Sequence, residues 1–301
     1  MPDAIAPPQT EQRNPVSAAL DTLPTLEVCR LINRQDAFVP LAVAEVLPQI
    51  AQAVDLMVST LSHDGRIFYQ GAGTSGRLGV LDASELLPTY SLEPGRVIPL
   101  IAGGPDALTN SIEAAEDDPD QGRADLERYD FAGNDLLVGI AAGGRTPYVL
   151  GGLRHALNLG ATSVALVCAP ASPMSALATV AIELLTGPEV VTGSTRMKAG
   201  TGQKLVLNML STATMVRLGK VYGNLMVDVR PTNDKLRRRA VRIVAEAVGL
   251  DDERALALLH ASRWEVKIAV VMGMLNVSAE EAARRLAHHQ GHLRRTVAAV
   301  G

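Results

Sequence analysis

The sequence predicts an α/β protein in which helices flank a parallel β-sheet and a small helical domain follows. Between residues 66 and 189, short apolar segments that end in glycine or another small residue alternate with helix-like segments. This alternation is typical of buried parallel strands joined by helices. After Gly249 such segments stop, and apolar residues recur at helical spacing. The chain has 301 residues, of which 47% are hydrophobic; this length suggests one large domain and a smaller one, or two equal domains.

We expect residues 1–22, which carry proline and polar residues, to form a flexible tail. Two helices are predicted next, over 23–36 and 39–61, because their apolar residues have helical spacing. The predicted strands lie within 66–73, 96–104, 135–144, 163–170 and, as a fifth candidate, 180–189. Two further helices are predicted over 202–220 and 233–249.

The predicted sheet domain spans residues 23–244, and the small helical domain spans 245–301. Three short helices are expected in the helical domain, over 251–264, 265–275 and 278–299. Asp251 and Ser278 have the residue types of helix N-caps, and Glu281 completes a capping-box pattern with Ser278.

Composition argues against several classes of protein. The net charge of −4 disfavours nucleic acid or an anionic membrane as a partner. Isolated Cys29 and Cys168 fit a reducing compartment, and neither a secretory signal nor a membrane-length apolar segment is recognisable. His288, His289 and His292 lack the carboxylate or cysteine pattern of a metal site. We therefore expect a cytoplasmic protein that needs no metal ion.

Residues 71–77, GAGTSGR, follow the first predicted strand and open a helix. Glycines such as Gly73 let a backbone approach a ligand closely, Thr74 and Ser75 add hydroxyl groups, and a helix N-terminus attracts phosphate. The G-x-G-x-x-G spacing also occurs in dinucleotide-binding proteins, but no acidic residue ends the next strand where a ribose needs one. The segment therefore predicts a phosphate-binding loop of another kind.

A second loop of this kind, GIAAGGRTPY, spans residues 139–148 and offers the backbone of Gly143 and Gly144 and the hydroxyl of Thr146. Because parallel strands end at one edge of a sheet, the two loops can converge on one ligand; the alternative is that both are ordinary turns. A third segment, 187–204, concentrates hydroxyl groups and cations before an apolar helix, and its alternative is a capped helix start with surface charge. Its polar side chains are Thr192, Ser194, Thr195, Arg196, Lys198 and Lys204.

Three glutamates are candidate acid–base groups. Glu85 follows the first loop, and its alternative is a capping box with Asp82 as N-cap. Glu113 and Glu116 are three residues apart and would share one face near the C-terminal end of a helix before Pro119. Carboxylates at that end oppose the helix dipole, which favours a functional role over the alternative of a solvated acidic turn.

Four segments together resemble the N-acetylmuramic acid 6-phosphate etherase family, and the resemblance runs from about Leu23 to the C-terminus. The segments are GAGTSGRLGVLDASE, SIEAAEDD, GIAAGGRTPYV and GPEVVTGSTRMKAGTGQKLVLNMLSTATM. The stretch 187–212 is the most specific, since it resembles a signature shared with the glucokinase regulatory protein. The resemblance implies a sugar isomerase (SIS) fold, a C-terminal helical domain similar to a ubiquitin-associated domain, and a homodimer.

The resemblance implies a lyase that splits the D-lactyl ether of N-acetylmuramic acid 6-phosphate into N-acetylglucosamine 6-phosphate and D-lactate, in cell-wall sugar recycling and without a cofactor. Glu85 is then the acid and Glu116 the base. The substrate-binding residues that it implies are Gly73, Thr74, Ser75, Glu113, Gly144, Thr146 and Arg196. Two alternatives stay open, a phosphosugar-sensing binding protein and an aldose–ketose isomerase, although both glutamates and the chain length favour the lyase.

The second loop departs from the family pattern at Gly143, where the family usually has serine. A lost hydrogen bond to a charged group costs about 1.5–3 kcal/mol unless water or a backbone N–H replaces it. The departure predicts weaker substrate affinity or a slightly different substrate preference.

Overall fold

The computed structural model describes residues 9–299, and within them it contains all five predicted strands. The strands are β1 (Ile67–Gly71), β2 (Val97–Ile101), β3 (Leu136–Ala141), β4 (Thr162–Val167) and β5 (Val180–Glu183). All neighbours pair in parallel, in the order β2-β1-β3-β4-β5. The predicted parallel α/β sheet is therefore confirmed. The order of the strands changes direction between the neighbours β1 and β3. Ligands usually bind at such a point, beside the loops that follow the two strands.

Helices flank this sheet and follow it along the chain as far as Ala298. Those up to residue 217 are α1 (Thr25–Asp36), α2 (Val39–Glu45), α3 (Leu47–Ser62), α4 (Gly73–Tyr90), α5 (Pro119–Glu127), α6 (Pro147–Asn158), α7 (Pro173–Leu177) and α8 (Lys198–Arg217). The later ones are α9 (Asp234–Val248), α10 (Asp252–Ala261), α11 (Val266–Leu275), α12 (Ala279–His288) and α13 (Leu293–Ala298). Every residue of β1 and β3 is buried, as expected for a sheet covered by helices on both faces.

Two predicted helices are each broken in two. The segment 39–61 is interrupted at Val46, because Pro48 has no N–H to donate and its ring clashes with the preceding helical turn. The segment 278–299 is interrupted before α13, where Gln290 and Gly291 adopt positive φ angles of 54° and 75°. Between α9 and residue 299, the end of the described chain, there are therefore four short helices rather than the expected three. The predicted N-caps are confirmed, since the side chains of Asp251 and Ser278 accept backbone N–H groups.

The described part of the expected flexible tail is held by hydrogen bonds. Asn14 Nδ2 donates to Gln35 Oε1 at 2.8 Å and to the carbonyl oxygen of Pro188 at 3.2 Å. Ser17 Oγ donates to the carbonyl oxygen of Val190 at 2.7 Å. Residues 9–22 therefore differ from the expectation, because buried polar contacts tie them to the segment that precedes α8.

The chain divides into two compact units, each made of two stretches of sequence. The first contains the described residues up to Ser84 together with Gly95–Ser211, and the second contains Glu85–Pro94 and the described residues from Thr212 onward. The first unit holds the whole sheet. The second has its own apolar core, to which Val244 of α9, Val270 of α11 and Leu286 of α12 belong. The predicted boundary between residues 244 and 245 stays a prediction about independently folding domains.

Within residues 9–299, no single helix is long and apolar enough to cross a membrane. One pair of segments, Thr25–Glu45 and Leu47–Ser62, meets the length and composition requirements only when taken together, across a bend of 61°.

Candidate active site

The loop after β1 is built on close backbone contact. A Cβ atom at Gly71 would lie 2.8 Å from Gly76 N, and one at Gly76 would lie 2.7 Å from Gly71 O, so both positions accept only glycine. Gly73 begins α4 with a φ of +51°, and nothing lies within 4 Å of the place a Cβ would take. The backbone at Gly73, where α4 begins, therefore borders open space, as a backbone site for an anion requires.

The loop after β3 has a similar form. Gly144 has a φ of +65°, and a Cβ there would lie 2.4 Å from Ser172 Oγ, so only glycine fits. A Cβ at Gly143 would instead meet nothing within 4 Å. Thr146 is the N-cap of α6, but its side chain makes no capping hydrogen bond, which leaves its hydroxyl group free for a ligand. Because β1 pairs directly with β3, both candidate phosphate loops lie side by side.

The start of α8 meets the first loop. The carboxylate of buried Glu189 accepts the backbone N–H groups of Lys198 at 3.0 Å and Ala199 at 2.9 Å, which caps α8. Burial lowers the pKa of Lys198, and the nearby Glu189 opposes that change. A Cβ at Gly200 would lie 3.3 Å from the methyl carbon of Thr74. The segment 187–204 is therefore a capped helix start that also packs against the predicted phosphate loop.

Ser75 and Gln203 form a buried pair between α4 and α8. Ser75 Oγ donates to Gln203 Oε1 at 2.8 Å, and the two residues are 8% and 1% exposed. The other amide atom, Gln203 Nε2, has no hydrogen-bond partner among the described residues. Since the hydroxyl proton of Ser75 is engaged, Ser75 can only accept from a ligand, and Gln203 keeps two unused N–H groups. Sequence reasoning missed Gln203, whose one signal was its place within 187–204.

The acidic segment 111–118 differs from its expected form. Instead of sharing a helix face, Glu113 lies in a loop and Glu116 in a short 3-10 turn, Ala115–Asp117. Asp118 is the N-cap of α5, and its side chain accepts the N–H groups of the second and third residues that follow. The expectation of a helix ending before Pro119 is wrong, because an Asp-Pro pair begins a helix here. Both glutamates are exposed, and they precede a helix N-terminus, where the dipole favours negative charge.

A cavity of about 310 Å³ joins the first loop to the acidic segment, with Gly73, Arg77, Glu113 and Glu116 among its lining residues. Arg77 Nε donates to the carbonyl oxygen of Leu108 at 3.1 Å, and Arg77 Nη2 donates to that of Asn110 at 3.0 Å. Arg77 therefore fixes the chain just before the two glutamates to the phosphate loop. This arrangement places carboxylates beside the predicted phosphate loop.

Six other predicted site residues do not line this cavity in the described part of the chain. They are Thr74, Ser75, Glu85, Gly144, Thr146 and Arg196. Thr74 and Ser75 lie in the first turn of α4. Gly144 lies in the loop before α6, and Thr146 is the N-cap of that helix. Arg196 is exposed in the turn before α8.

Glu85 is exposed and lies inside α4, which starts at Gly73. A capping box with Asp82 is therefore excluded, because neither residue is at a helix start. Asp82 is buried instead: it accepts a hydrogen bond from Ser211 Oγ at 3.1 Å, and Lys204 Nζ lies 3.9 Å from its Oδ1. Burial raises the pKa of Tyr69, and the charge of Asp82 raises it further.

Within residues 9–299, no group of three or more His, Cys, Asp or Glu side chains is placed to hold a metal ion. The arrangement instead offers two loops for an anion and carboxylates that can accept or donate protons. Such a combination suits proton transfer on a phosphorylated substrate.

Comparisons with known proteins find a family model and solved structures similar to part of this chain. Residues 49–157 match the family described as "Glucokinase regulatory protein N-terminal SIS domain". A phosphoheptose isomerase structure from Neisseria gonorrhoeae has a TM-score of 0.49 and 16% identity, and the match covers 64% of this chain and 98% of that one.

Two curated proteins are much more similar. N-acetylmuramic acid 6-phosphate etherase of Streptomyces coelicolor is 54% identical over 97% of this chain and 94% of its own length. N-acetylmuramic acid 6-phosphate etherase 1 of Vibrio cholerae is 53% identical over 95% of each chain. With more than half of its residues identical to these relatives along nearly its whole length, the chain belongs to the N-acetylmuramic acid 6-phosphate etherase family.

Proposed function

We propose that the chain is a carbon–oxygen lyase that splits the D-lactyl ether of N-acetylmuramic acid 6-phosphate, in the recycling of cell-wall amino sugars. Family membership supports the reaction. The observation that carries the proposal is the cavity in which the backbone at Gly73 faces the segment of Glu113 and Glu116. A phosphate held at the first loop would bring the sugar carbons within reach of these carboxylates.

The chemistry follows from the position of the ether oxygen on C3 of the sugar. In the open-chain aldehyde, the proton on C2 is acidic because it is next to a carbonyl group. Removal of that proton lets lactate leave from C3, and water then adds to the unsaturated aldehyde. The 6-phosphate is remote from both carbons, so its binding energy positions them without taking part in the reaction.

Each carboxylate has a separate task in this scheme. Glu116 removes the C2 proton, and its exposure in the 3-10 turn leaves the carboxylate accessible to a substrate in the cavity. Glu113, on the same cavity wall, binds a sugar hydroxyl group. Glu85 protonates the departing lactate oxygen, as the resemblance to the family implies. A well-placed proton transfer contributes roughly 10²–10⁴-fold to the rate.

The remaining predicted residues hold the phosphosugar. The N–H groups that open α4 and α6, together with the hydroxyl groups of Thr74 and Thr146, would donate to phosphate or sugar oxygens. Ser75 would accept from a sugar hydroxyl, since its own proton is used by Gln203. Gly144 supplies backbone only, and exposed Arg196 adds positive charge near α8.

We further propose that the protein works in the cytoplasm as a homodimer. Family membership supports the dimer, and the exposed apolar side chains of Met209 and Val216, seven residues apart on one face of α8, are candidates for a partner surface. Light scattering across a dilution series tests the assembly, and a particle with the mass of one chain at every concentration would contradict it.

Incubation of the purified chain with N-acetylmuramic acid 6-phosphate, followed by assays for D-lactate and for N-acetylglucosamine 6-phosphate, tests the function. We expect stoichiometric lactate that disappears with Glu116→Gln, while Glu127→Gln, an exposed carboxylate at the end of α5, serves as the matched control with normal release. An aldose–ketose isomerase would transform the sugar without lactate, and a sensing protein would bind it unchanged. Either outcome would refute the proposal.

A further inference from the structure

The second compact unit contains a separate cavity of about 520 Å³. It is lined by the segment 227–231 and by residues of α11 and α12. Its charged lining residues, among those the structure describes, are three cations and two anions: Lys220, Arg230 and Lys267 against Asp228 and Glu265. None of the residues assigned to ether cleavage is among them.

The two lysines converge on a single carboxylate oxygen. Lys267 Nζ lies 2.7 Å from Asp228 Oδ2, and Lys220 Nζ lies 3.2 Å from the same atom. Their side chains are only 12% and 25% exposed. One carboxylate can neutralise one ammonium group, and exposed Glu265 is the other anion of the lining. Among the described lining residues, three cations therefore face two carboxylates, and one positive charge in a largely buried group is left unbalanced, which is unfavourable.

Burial and nearby positive charges both lower the pKa values of Lys267 and His292. Burial lowers the pKa of Lys267; Asp228 opposes this change, and Lys220 adds to it. Burial likewise lowers the pKa of His292, and the charges of Arg295 and Lys267 lower it further. This region is electropositive in a chain whose net charge is −4, so the excess charge is local.

We propose that this cavity is a binding site for a phosphate-type oxyanion, whose negative charge balances the lysine pair on Asp228. The guanidinium group of Arg230 at the cavity wall adds donors in the planar arrangement that suits phosphate. Inorganic phosphate and a phosphomonoester share this chemistry, and the cavity has room for either. The site is distinct from the loops that hold the substrate phosphate.

The chain provides a reporter for this cavity, because its single tryptophan, Trp264, is one of the lining residues. We expect titration of the full-length protein with inorganic phosphate to change tryptophan fluorescence saturably, and chloride at the same ionic strength to have no such effect. Thr74→Val, which alters only the substrate loop, should leave the titration unchanged. Repeating the titration with glycerol 3-phosphate distinguishes the two sources: tighter binding than phosphate identifies a site for esters, and weaker binding a site for the free ion.

Substitution of the lysines tests whether they bind the phosphate. Lys267→Met should raise the apparent Kd for phosphate by about tenfold or more, since a hydrogen bond to a charged group is lost. Lys267→Arg keeps the charge and should bind within a few-fold of the unmodified chain. Arg254→Gln removes an exposed cation of α10 and serves as the charge-matched control with no effect.

If Lys267→Met does not fold by circular dichroism, Lys220→Met is measured in its place with the same expectation. An unsaturable response, an equal response to chloride, or an unchanged Kd in the folded lysine variant would each overturn the proposal. The lysine pair would then be only a structural ion pair.

Discussion

Replacing Gly143 with serine tests whether the second loop contacts the phosphosugar. A Cβ at this position meets nothing within 4 Å, and Gly143 is not among the glycines with positive φ, so the backbone accepts a side chain without strain. The added hydroxyl group can donate to a substrate oxygen at the edge shared by both loops. A hydrogen bond to a charged group is worth about 1.5–3 kcal/mol, which corresponds to roughly ten- to hundredfold in affinity.

We therefore expect Gly143→Ser to lower KM by about tenfold with little change in kcat, because the contact is remote from C2 and C3 and is made equally before and during the reaction. Steady-state release of D-lactate measures both constants. Gly144→Ser is the matched control one residue later: its Cβ would lie 2.4 Å from Ser172 Oγ and its φ is +65°, so that variant should lose activity. An unchanged KM in Gly143→Ser, or loss of its activity, would refute the interpretation of the loop.

Three further predictions concern the glutamates, the buried amide and the thiols. In D₂O, NMR should show that the Glu85→Gln variant replaces the C2 proton of the substrate with deuterium but releases no lactate. The Glu116→Gln variant should do neither, and the opposite result would mean that the acid and base roles are reversed. Gln203→Leu should raise KM about tenfold or more, since the amide is buried beside the first loop, and an unchanged KM in steady-state assays would exclude a part in binding. A thiol reagent at pH about 8 should modify exposed Cys29 but not Cys168 in the native chain, because burial raises the pKa of Cys168 to about 12 and its thiol stays protonated. Mass spectrometry that finds two rapidly modified thiols before unfolding would contradict this.

The sheet could be predicted from the sequence because its strands are buried on both faces. The strands of the central part of the sheet are short apolar runs that end in glycine or alanine, such as Ile67–Gly71 and Leu136–Ala141, and that pattern differs clearly from the helical spacing around it. The helix breaks were also present as local signals, Pro48 and Gly291, but the apolar spacing on both sides of them continued the helical pattern. Periodicity alone therefore overestimates the length of a helix.

The candidate site was only partly predictable, for physical reasons that differ between its parts. The loops carry their signal locally, in glycines that a close approach requires. The prediction for the acidic segment was wrong. The spacing of Glu113 and Glu116 suggested a helix that ends before Pro119, whereas Asp118 and Pro119 begin the next helix, α5. The pairing of Ser75 with Gln203 joins residues 128 positions apart, and no local pattern encodes such a tertiary contact.

The second compact unit combines two stretches that are far apart in the sequence, which affects the order in which the chain can fold. Residues 85–94 belong to this unit, yet the rest of it begins at residue 212. Ser91 donates a hydrogen bond to the carbonyl oxygen of Asp228, which is 137 residues later in the chain. During synthesis the earlier stretch therefore leaves the ribosome long before its partners exist, and closing so long a loop slows folding. A truncation after α8 would remove Asp228 and most of the unit to which residues 85–94 belong, so we expect the shortened chain to expose this stretch and to aggregate more readily than the complete chain.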